Sequence, residues 1–258
     1  MTKYLLPVCV DKGSGPVVVL LHGLGNNYKS WSYVLDHMPR SVRVVAFDLL
    51  GFGDAPKPKV DYTPEDHARA VLDTLDTLDI KEAVIAGHSM GCLVAIEIAH
   101  QRPKLVSQLV LAGAPIYEKV SKSTRLGKIF HITNIYFALY EALQKSPALA
   151  KEGGDFANNI LPFVKGMEIT DETWPAFRKS LENTIMRFDT AKKAALLETP
   201  TLFLNGLLDF FIVRSVNRKI VRANSRYLRK RTVLGPHELT PRNGRRMAGR
   251  LVKLAKSN

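Results

Sequence analysis

The sequence predicts an α/β fold in which a mainly parallel β-sheet carries helices on both faces. Three observations favour this class. Short apolar runs alternate with segments of helical periodicity, as in chains built from strand–helix–strand units. The runs are apolar at nearly every position, which is typical of strands buried on both faces. The length of 258 residues suits one large domain, and 46% hydrophobic residues exclude a disordered chain.

The first strands and helices are indicated by apolar runs and helix-start residues. Val17–Leu21 is a β-branched apolar run that ends in a glycine-rich turn, so it is predicted as a buried strand. Asn27–Met38 carries apolar residues at helical spacing, and Val42–Phe47 is a second apolar run. Thr63 followed by Pro64 predicts a helix start, with Thr as the N-cap.

The remaining elements continue this alternation. Apolar runs predict strands, and apolar residues three and four apart predict helices. The predicted segments are strands at Ala83–Ala86, Leu105–Leu111, Thr201–Leu204 and Tyr227–Leu234, and helices at Gly91–His100 and Arg242–Lys256.

One long interval interrupts the alternation of strands and helices. Residues from about 116 to 197 have helical periodicity, many aromatic residues and no clear strand. The interval is predicted as a helical cap insertion in a single domain that spans residues 1–258. Its aromatic side chains are expected to form the core of the cap, with lining of a substrate pocket as the alternative.

The positive charge is concentrated at the end of the chain. The formal net charge is +13, and residues 214–258 hold 14 Lys and Arg residues against one acidic residue, Glu238. We interpret this segment as a solvated basic face, with attraction of an acidic ligand as the alternative. Its spacing fits no nucleic-acid-binding motif, so nucleic acid is not an expected partner.

Composition also predicts the compartment. No apolar run approaches the roughly 18 residues of a membrane span, and the first residues lack the pattern of a signal peptide. A cytoplasmic protein without a membrane span is therefore expected. The two cysteines, Cys9 and Cys92, are interpreted as free thiols.

A nucleophile motif lies between a predicted strand and a predicted helix. Gly87-His88-Ser89-Met90-Gly91 matches G-x-S-x-G in the strand–turn–helix context that this motif needs. The sharp turn would expose the Ser89 hydroxyl, and the two glycines would avoid collisions with neighbouring elements. The backbone N–H of Met90 would lie at a helix N-terminus, where it stabilises negative charge. His88 is interpreted as a wall residue.

Two further signals follow strand ends. His22-Gly23-Leu24-Gly25 comes directly after the first predicted strand and is expected to present the Leu24 N–H as a second oxyanion donor. Asp209 and His237 lie just past two later strands, and the order Ser, Asp, His is that of hydrolases with this motif. Ser89, Asp209 and His237 are therefore expected at the carboxyl edge of the sheet.

Together these features resemble the α/β-hydrolase superfamily, in particular its single-domain, capped, esterase-like members. The resemblance covers nearly the whole chain and rests on His22–Gly25, the turn Asp48–Gly53, the elbow Gly87–Gly91, Pro200–Asp209 and His237. It implies that Ser89 is the nucleophile, His237 the general base and Asp209 the acid that orients it. Leu24 and Met90 would be the oxyanion donors.

The resemblance implies a serine hydrolase that cleaves carboxylic esters of small or medium acyl chains through an acyl-enzyme intermediate. Neither a metal nor an organic cofactor is expected. One alternative is a thioesterase or an acyl-carrier or coenzyme A esterase that uses the basic C-terminal segment. Others are a C–C bond hydrolase, lactonase or perhydrolase with the same triad, and a non-catalytic ligand-binding protein on the same scaffold. Ser89 disfavours dehalogenase and epoxide hydrolase chemistry, for which family members use Asp.

Overall fold

A mainly parallel sheet organises the protein in the computed structural model, which describes residues 2–118, 135–145, 167, 169–187 and 189–257. Its seven strands lie in the order β1-β3-β2-β4-β5-β6-β7, and only the β1–β3 pair is antiparallel. The predicted fold class is thereby confirmed. The strands are β1 (Val8–Lys12), β2 (Val17–Leu21), β3 (Arg43–Phe47), β4 (Ala83–His88), β5 (Val106–Ala112), β6 (Thr201–Gly206) and β7 (Leu228–Val233).

Helices cover both faces of the sheet. Because side chains alternate along a strand, Val18 and Leu20 pack on the face of α1 and α8, whereas Val19 and Leu21 pack on the face of α2 and α3. The described helices are α1 (Ser32–Leu35), α2 (Pro64–Thr77), α3 (Met90–Gln101), α4 (Ile135–Lys145), α5 (Trp174–Ser180), α6 (Thr190–Ala195), α7 (Arg214–Ala223) and α8 (Pro241–Ala255).

Two elements near the N-terminus differ from the prediction. The strand β1 was not predicted, because at the edge of the sheet all of its side chains are exposed or half-buried and its apolar pattern is weak. The predicted helix Asn27–Met38 is instead a 3-10 turn at Tyr28–Trp31 followed by the single turn α1. The apolar residues on which the prediction was based still point into the core, since Trp31 and Val34 are fully buried.

The described part of the interval predicted as a cap is mostly helical and contains no strand. It contains α4, α5, a π-helical turn at Leu181–Ile185, and α6. Residues 119–134 and 146–166 lie outside the described part, so the cap boundaries remain a prediction. No described helix is both long and apolar enough to cross a membrane.

Candidate active site

Ser89 occupies a sharp turn between β4 and α3. Its backbone has φ 52° and ψ −122°, a conformation that L-residues other than glycine rarely adopt. The flanking glycines make the turn possible, as predicted. A Cβ at Gly87 would overlap the carbonyl oxygen of Gly91, and a Cβ at Gly91 would overlap the carbonyl oxygen of Leu21 on β2. The strained turn holds Ser89 at the carboxyl edge of the sheet.

The predicted acid and histidine form a hydrogen-bonded pair in loops after β6 and β7. His237 Nδ1 lies 2.8 Å from Asp209 Oδ2, and the other Asp209 oxygen accepts a hydrogen bond of 2.9 Å from the Phe211 backbone N–H. Because an ionised carboxylate only accepts hydrogen bonds, this contact favours the imidazole tautomer with Nδ1 protonated. His237 Nε2 is buried without a hydrogen-bond partner among the described residues, and it is therefore free to accept a proton.

A glycine at the end of β5 makes room for this pair. Gly113 has φ +63°, and a Cβ there would lie 3.0 Å from two ring atoms of His237 and 3.1 Å from Asp209 Oδ2. Both the backbone angle and the close approach require glycine. The sequence did not single out Gly113, because nothing near it in the chain signals the packing of a loop more than 120 residues away.

Two aromatic rings pack against the His237 imidazole. The Phe211 ring stacks on it, with centroids 4.3 Å apart and an angle of 28° between the planes. The His88 ring lies 4.9 Å away, and its Nε2 donates a 2.8 Å hydrogen bond to the His237 carbonyl oxygen. Burial, and then repulsion from His237, lowers the pKa of His88 to about 4, so His88 is neutral at pH 7. His88 therefore supports the His237 loop.

A tyrosine that the sequence did not identify as a site residue touches the nucleophile. The Tyr136 hydroxyl, on α4, lies 2.8 Å from Ser89 Oγ. Tyr136 is almost fully buried, and burial raises the pKa of its phenol, so the hydroxyl stays protonated. The only sequence signal was its place among the aromatic residues of the predicted cap.

The loop after β2 packs directly against the nucleophile. A Cβ at Gly23 would lie 3.0 Å from the Ser89 Cβ, so glycine permits this approach. His22 holds the loop, because its Nε2 accepts a 2.8 Å bond from the Leu49 N–H and its Nδ1 lies 2.8 Å from the Gly23 carbonyl oxygen. Burial lowers the pKa of His22 to about 4, which suits a neutral structural residue.

The predicted oxyanion donors flank Ser89. Leu24 lines the same cavity as Ser89, and Met90 is the first residue of α3, where helix N–H groups have no partner within the helix. The cavity is small, about 80 Å³. Its other described lining residues include Asn26, Tyr136, Met167, Phe211, His237 and Glu238.

The two cysteines take no part in this arrangement. Both are free thiols. Cys92 is buried on α3, where its Sγ donates to the carbonyl oxygens of Gly87 and Ala112 at 3.2 and 3.3 Å, and burial raises the pKa of its thiol. In the described part of the chain, no group of three or more His, Cys, Asp or Glu side chains is arranged to hold a metal ion.

Known proteins share both sequence and fold with this chain. An uncharacterised protein of Mycobacterium tuberculosis is 37% identical over 138 residues, which cover 54% of this chain and 37% of that protein. A haloalkane dehalogenase of Mesorhizobium japonicum is 36% identical over 168 residues, covering 64% of this chain and 52% of the enzyme. The chain thus spans little more than a third of the length of the first curated relatives that it matches.

The fold comparison covers almost the entire chain. The enol-lactonase from Burkholderia xenovorans superposes with a TM-score of 0.70 at 20% identity, covering 96% of this chain and 95% of the lactonase. The sequence model of the α/β-hydrolase fold family matches residues 16–240. This match includes the elbow, the loop after β2, Asp209 and His237. The chain belongs to the α/β-hydrolase fold family.

Proposed function

We propose that this protein is a serine hydrolase that cleaves carboxylic esters of small or medium acyl chains. One observation carries the proposal: Ser89 and His237 line the same cavity, and the Nε2 of His237 has no hydrogen-bond partner among the described residues. A serine held in an elbow beside an unoccupied basic nitrogen, which Asp209 orients, suits nucleophilic catalysis.

In the first half-reaction Ser89 Oγ attacks the ester carbonyl carbon while His237 Nε2 takes the hydroxyl proton. The carbonyl oxygen becomes an oxyanion, which would be stabilised by the N–H groups of Leu24 and Met90. When the tetrahedral intermediate collapses, the C–O bond to the alcohol breaks and the imidazolium of His237 protonates the leaving alcohol. The acyl group remains on Ser89 as an ester.

In the second half-reaction a water molecule attacks the acyl-enzyme. His237 Nε2 removes one proton from the water and returns it to Ser89 Oγ as the intermediate collapses, releasing the carboxylic acid. Asp209 orients the ring and stabilises the imidazolium. Tyr136 is placed to donate a hydrogen bond to Ser89 Oγ in the resting enzyme, which leaves the Ser89 proton free to move to His237.

The serine also argues for acyl transfer over the haloalkane chemistry named for one relative. Displacement of a halide by a serine oxygen would leave an ether, which has no carbonyl carbon for water to attack. Attack on an ester leaves an acyl-serine, which water hydrolyses. The cavity that Ser89 and His237 line is small, about 80 Å³, so short acyl groups are the expected substrates.

The test compares the wild-type protein with Ser89→Ala on p-nitrophenyl esters from acetate to decanoate and on a fluorophosphonate probe. Ser225→Ala, at an exposed turn, is the matched control. The wild type and Ser225→Ala should hydrolyse the short esters and carry the probe, and Ser89→Ala should do neither. Thioesters of the same acyl groups distinguish ester from thioester preference. A folded wild-type protein that neither turns over nor reacts with the probe would refute the proposal.

A further inference from the structure

A second concave site lies away from the nucleophile, between the β6–β7 edge of the sheet and α8. It has a volume of about 400 Å³, within the range of small-molecule sites. None of Ser89, Asp209 and His237 lines it. Five cationic side chains surround it, and we call it the cationic cleft: Arg226, Arg229, Arg231, Arg250 and Lys253.

The cations of this cleft lack acidic partners. No carboxylate is among its described lining residues, and none of the five forms an ion pair with another described residue. The other side of the molecule is different, because Lys193 lies 2.9 Å from Glu65 and 2.7 Å from Glu97. Partial burial, together with nearby Arg231 and Arg246, lowers the pKa of the Arg250 guanidinium. The five like charges therefore repel one another unless an anion joins them.

Two of the arginines lie on the face of the edge strand β7 that adjoins α8. Arg229 pairs with Leu202 on β6, and Arg231 pairs with Leu204. Both leucines belong to the apolar layer under α8, so Arg229 and Arg231 face that layer too. Both arginines are exposed, so their guanidinium groups are accessible to a ligand.

We propose that the cationic cleft binds a small molecule that carries two or more phosphate groups. Guanidinium groups match phosphate oxygens in bidentate geometry, and four arginines line the cleft. Several phosphate charges are needed to balance five cations. The cleft is a recess lined by residues of three strands and a helix, which suits a compact ligand better than an extended nucleic acid or a membrane surface.

The cleft continues along the same face of the sheet. Arg250 and Lys253 also line a neighbouring recess of about 500 Å³, whose lining includes Leu204, Asp209 and His237. The organic part of the ligand has room in this recess. Binding of the phosphates requires neither Ser89 nor turnover, so this proposal is independent of the proposed hydrolase activity.

The test measures binding of ADP and inorganic pyrophosphate by calorimetry, with adenosine as the uncharged control. We expect saturable binding of ADP with Kd below about 100 μM at about 50 mM salt, weakening as salt rises, and no binding of adenosine. Pyrophosphate should compete with ADP. Ser89→Ala should bind ADP as the wild type does, whether or not that serine is catalytic.

Paired variants locate the site. Arg231→Gln with Arg250→Gln should raise the Kd for ADP at least about tenfold, whereas Arg242→Gln with Arg245→Gln should change it less than about twofold. Both pairs remove two charges, and the control pair lies on the exposed side of α8. If the first pair impairs folding, Lys253→Gln, at an exposed position, replaces it and should weaken binding at least about threefold.

Three results would overturn the proposal. The first is no saturable binding of ADP or pyrophosphate by the wild-type protein at low salt. The second is equal weakening by the two variant pairs, which would indicate a general charge effect. The third is tighter binding of an RNA oligonucleotide or of anionic phospholipid vesicles that ADP does not displace, which would assign the surface to a macromolecule or a membrane.

Discussion

The hydrogen bond between the hydroxyl groups of Ser89 and Tyr136 positions the proposed nucleophile. A buried hydroxyl without a partner is costly, and the 2.8 Å contact satisfies both groups. Since the Tyr136 phenol remains protonated, it can donate to Ser89 Oγ and still leave the serine hydrogen to His237. We therefore regard Tyr136 as a positioning residue for the nucleophile.

Replacement of this tyrosine tests that role. Tyr136→Phe keeps the ring, which packs edge-on against Phe211 with centroids 4.9 Å apart, and removes only the hydroxyl. Loss of one hydrogen bond should lower kcat for a short ester about 3- to 10-fold with little change in KM. The rate of fluorophosphonate labelling should fall in parallel. Tyr140→Phe, one turn further along α4, is the control, and an unchanged or raised kcat in Tyr136→Phe would contradict the assignment.

Gly113 sets the space available to the His237–Asp209 pair. Gly113→Ala would place a methyl group 3.0 Å from the imidazole on a backbone with φ +63°. We expect kcat/KM to fall at least tenfold and the free energy of unfolding to fall by about 1–3 kcal/mol. Steady-state kinetics and urea unfolding measure the two effects.

Gly249 provides the matched control for this substitution. It lies within α8, and a Cβ there would meet no atom within 4 Å. Gly249→Ala should leave kcat/KM unchanged and raise the free energy of unfolding by about 0.5–1 kcal/mol, because alanine favours the helix. Similar losses of activity in both variants would show that the space beside His237 is not the cause.

At the scale of elements, α2 shows local sequence determining structure directly. The Thr63 side chain accepts a 3.2 Å bond from the Asp66 N–H, and the Asp66 carboxylate accepts a 3.1 Å bond from the Thr63 N–H. Pro64 follows at the first helical position. This start was predicted from Thr63 and Pro64, because a capping signal acts over a few residues.

Removal of the Thr63 cap should lower the stability of the protein by a measurable amount. Thr63→Ala should lower the free energy of unfolding by about 0.5–2 kcal/mol, since the Asp66 N–H loses its partner. Thr77→Ala, in the exposed last turn of the same helix, should change it by less than about 0.5 kcal/mol. Urea unfolding at pH 7 compares the two. Equal effects would mean that the cap does not stabilise α2.

Elements were predictable where burial leaves a continuous apolar pattern. The buried strands β2 to β6 each lie within two residues of their predicted ends. The edge strand β1 was missed because pairing with β3 alone, and not burial, holds it. The amphipathic helix α7 was also missed, since the basic residues at its surface obscure four buried positions.

At the scale of the whole molecule, burial of uncharged histidines makes stability dependent on pH. Burial lowers the pKa of His22, His67 and His88 to about 4, 3 and 4, from 6.5 in the unfolded chain. Below about pH 6.5 the unfolded chain therefore binds more protons than the folded protein, and stability falls as the pH falls. Each histidine contributes up to about 1.4 kcal/mol per pH unit between its two pKa values.

Replacement of one buried histidine tests whether these residues cause the pH dependence of stability. His67, whose Nε2 lies 3.1 Å from Ser180 Oγ, packs between α2 and α5 and away from the nucleophile. His67→Gln should reduce the slope of unfolding free energy against pH by up to about 1.4 kcal/mol per unit between about pH 6 and pH 4. His37→Gln, at an exposed position, should leave the slope unchanged. Identical slopes in the two variants would show that His67 does not contribute to the pH dependence of stability.

The candidate site shows which long-range features a sequence reveals. Ser89, Asp209 and His237 each follow a recognisable strand, so their meeting at one sheet edge could be predicted, and the Asp209–His237 pair forms as expected. Their catalytic roles remain predictions. Tyr136 could not be predicted, because its position depends on how a helix of the inserted interval packs over the elbow. The basic segment was interpreted as a solvated face, with attraction of an acidic ligand as the alternative, but the sequence could not show that five of its cations line one cleft.

The basic character of β7 has a second consequence, for association between copies of the protein. β7 closes one end of the sheet, and its outer backbone N–H and C=O groups offer a template for another strand. Its sequence, Leu-Arg-Lys-Arg-Thr-Val, sets three consecutive positive charges against any identical strand that approaches. Electrostatic repulsion would thus discourage edge-to-edge aggregation. Ionic strength, which screens that repulsion, then becomes a determinant of colloidal stability as well as of ligand affinity.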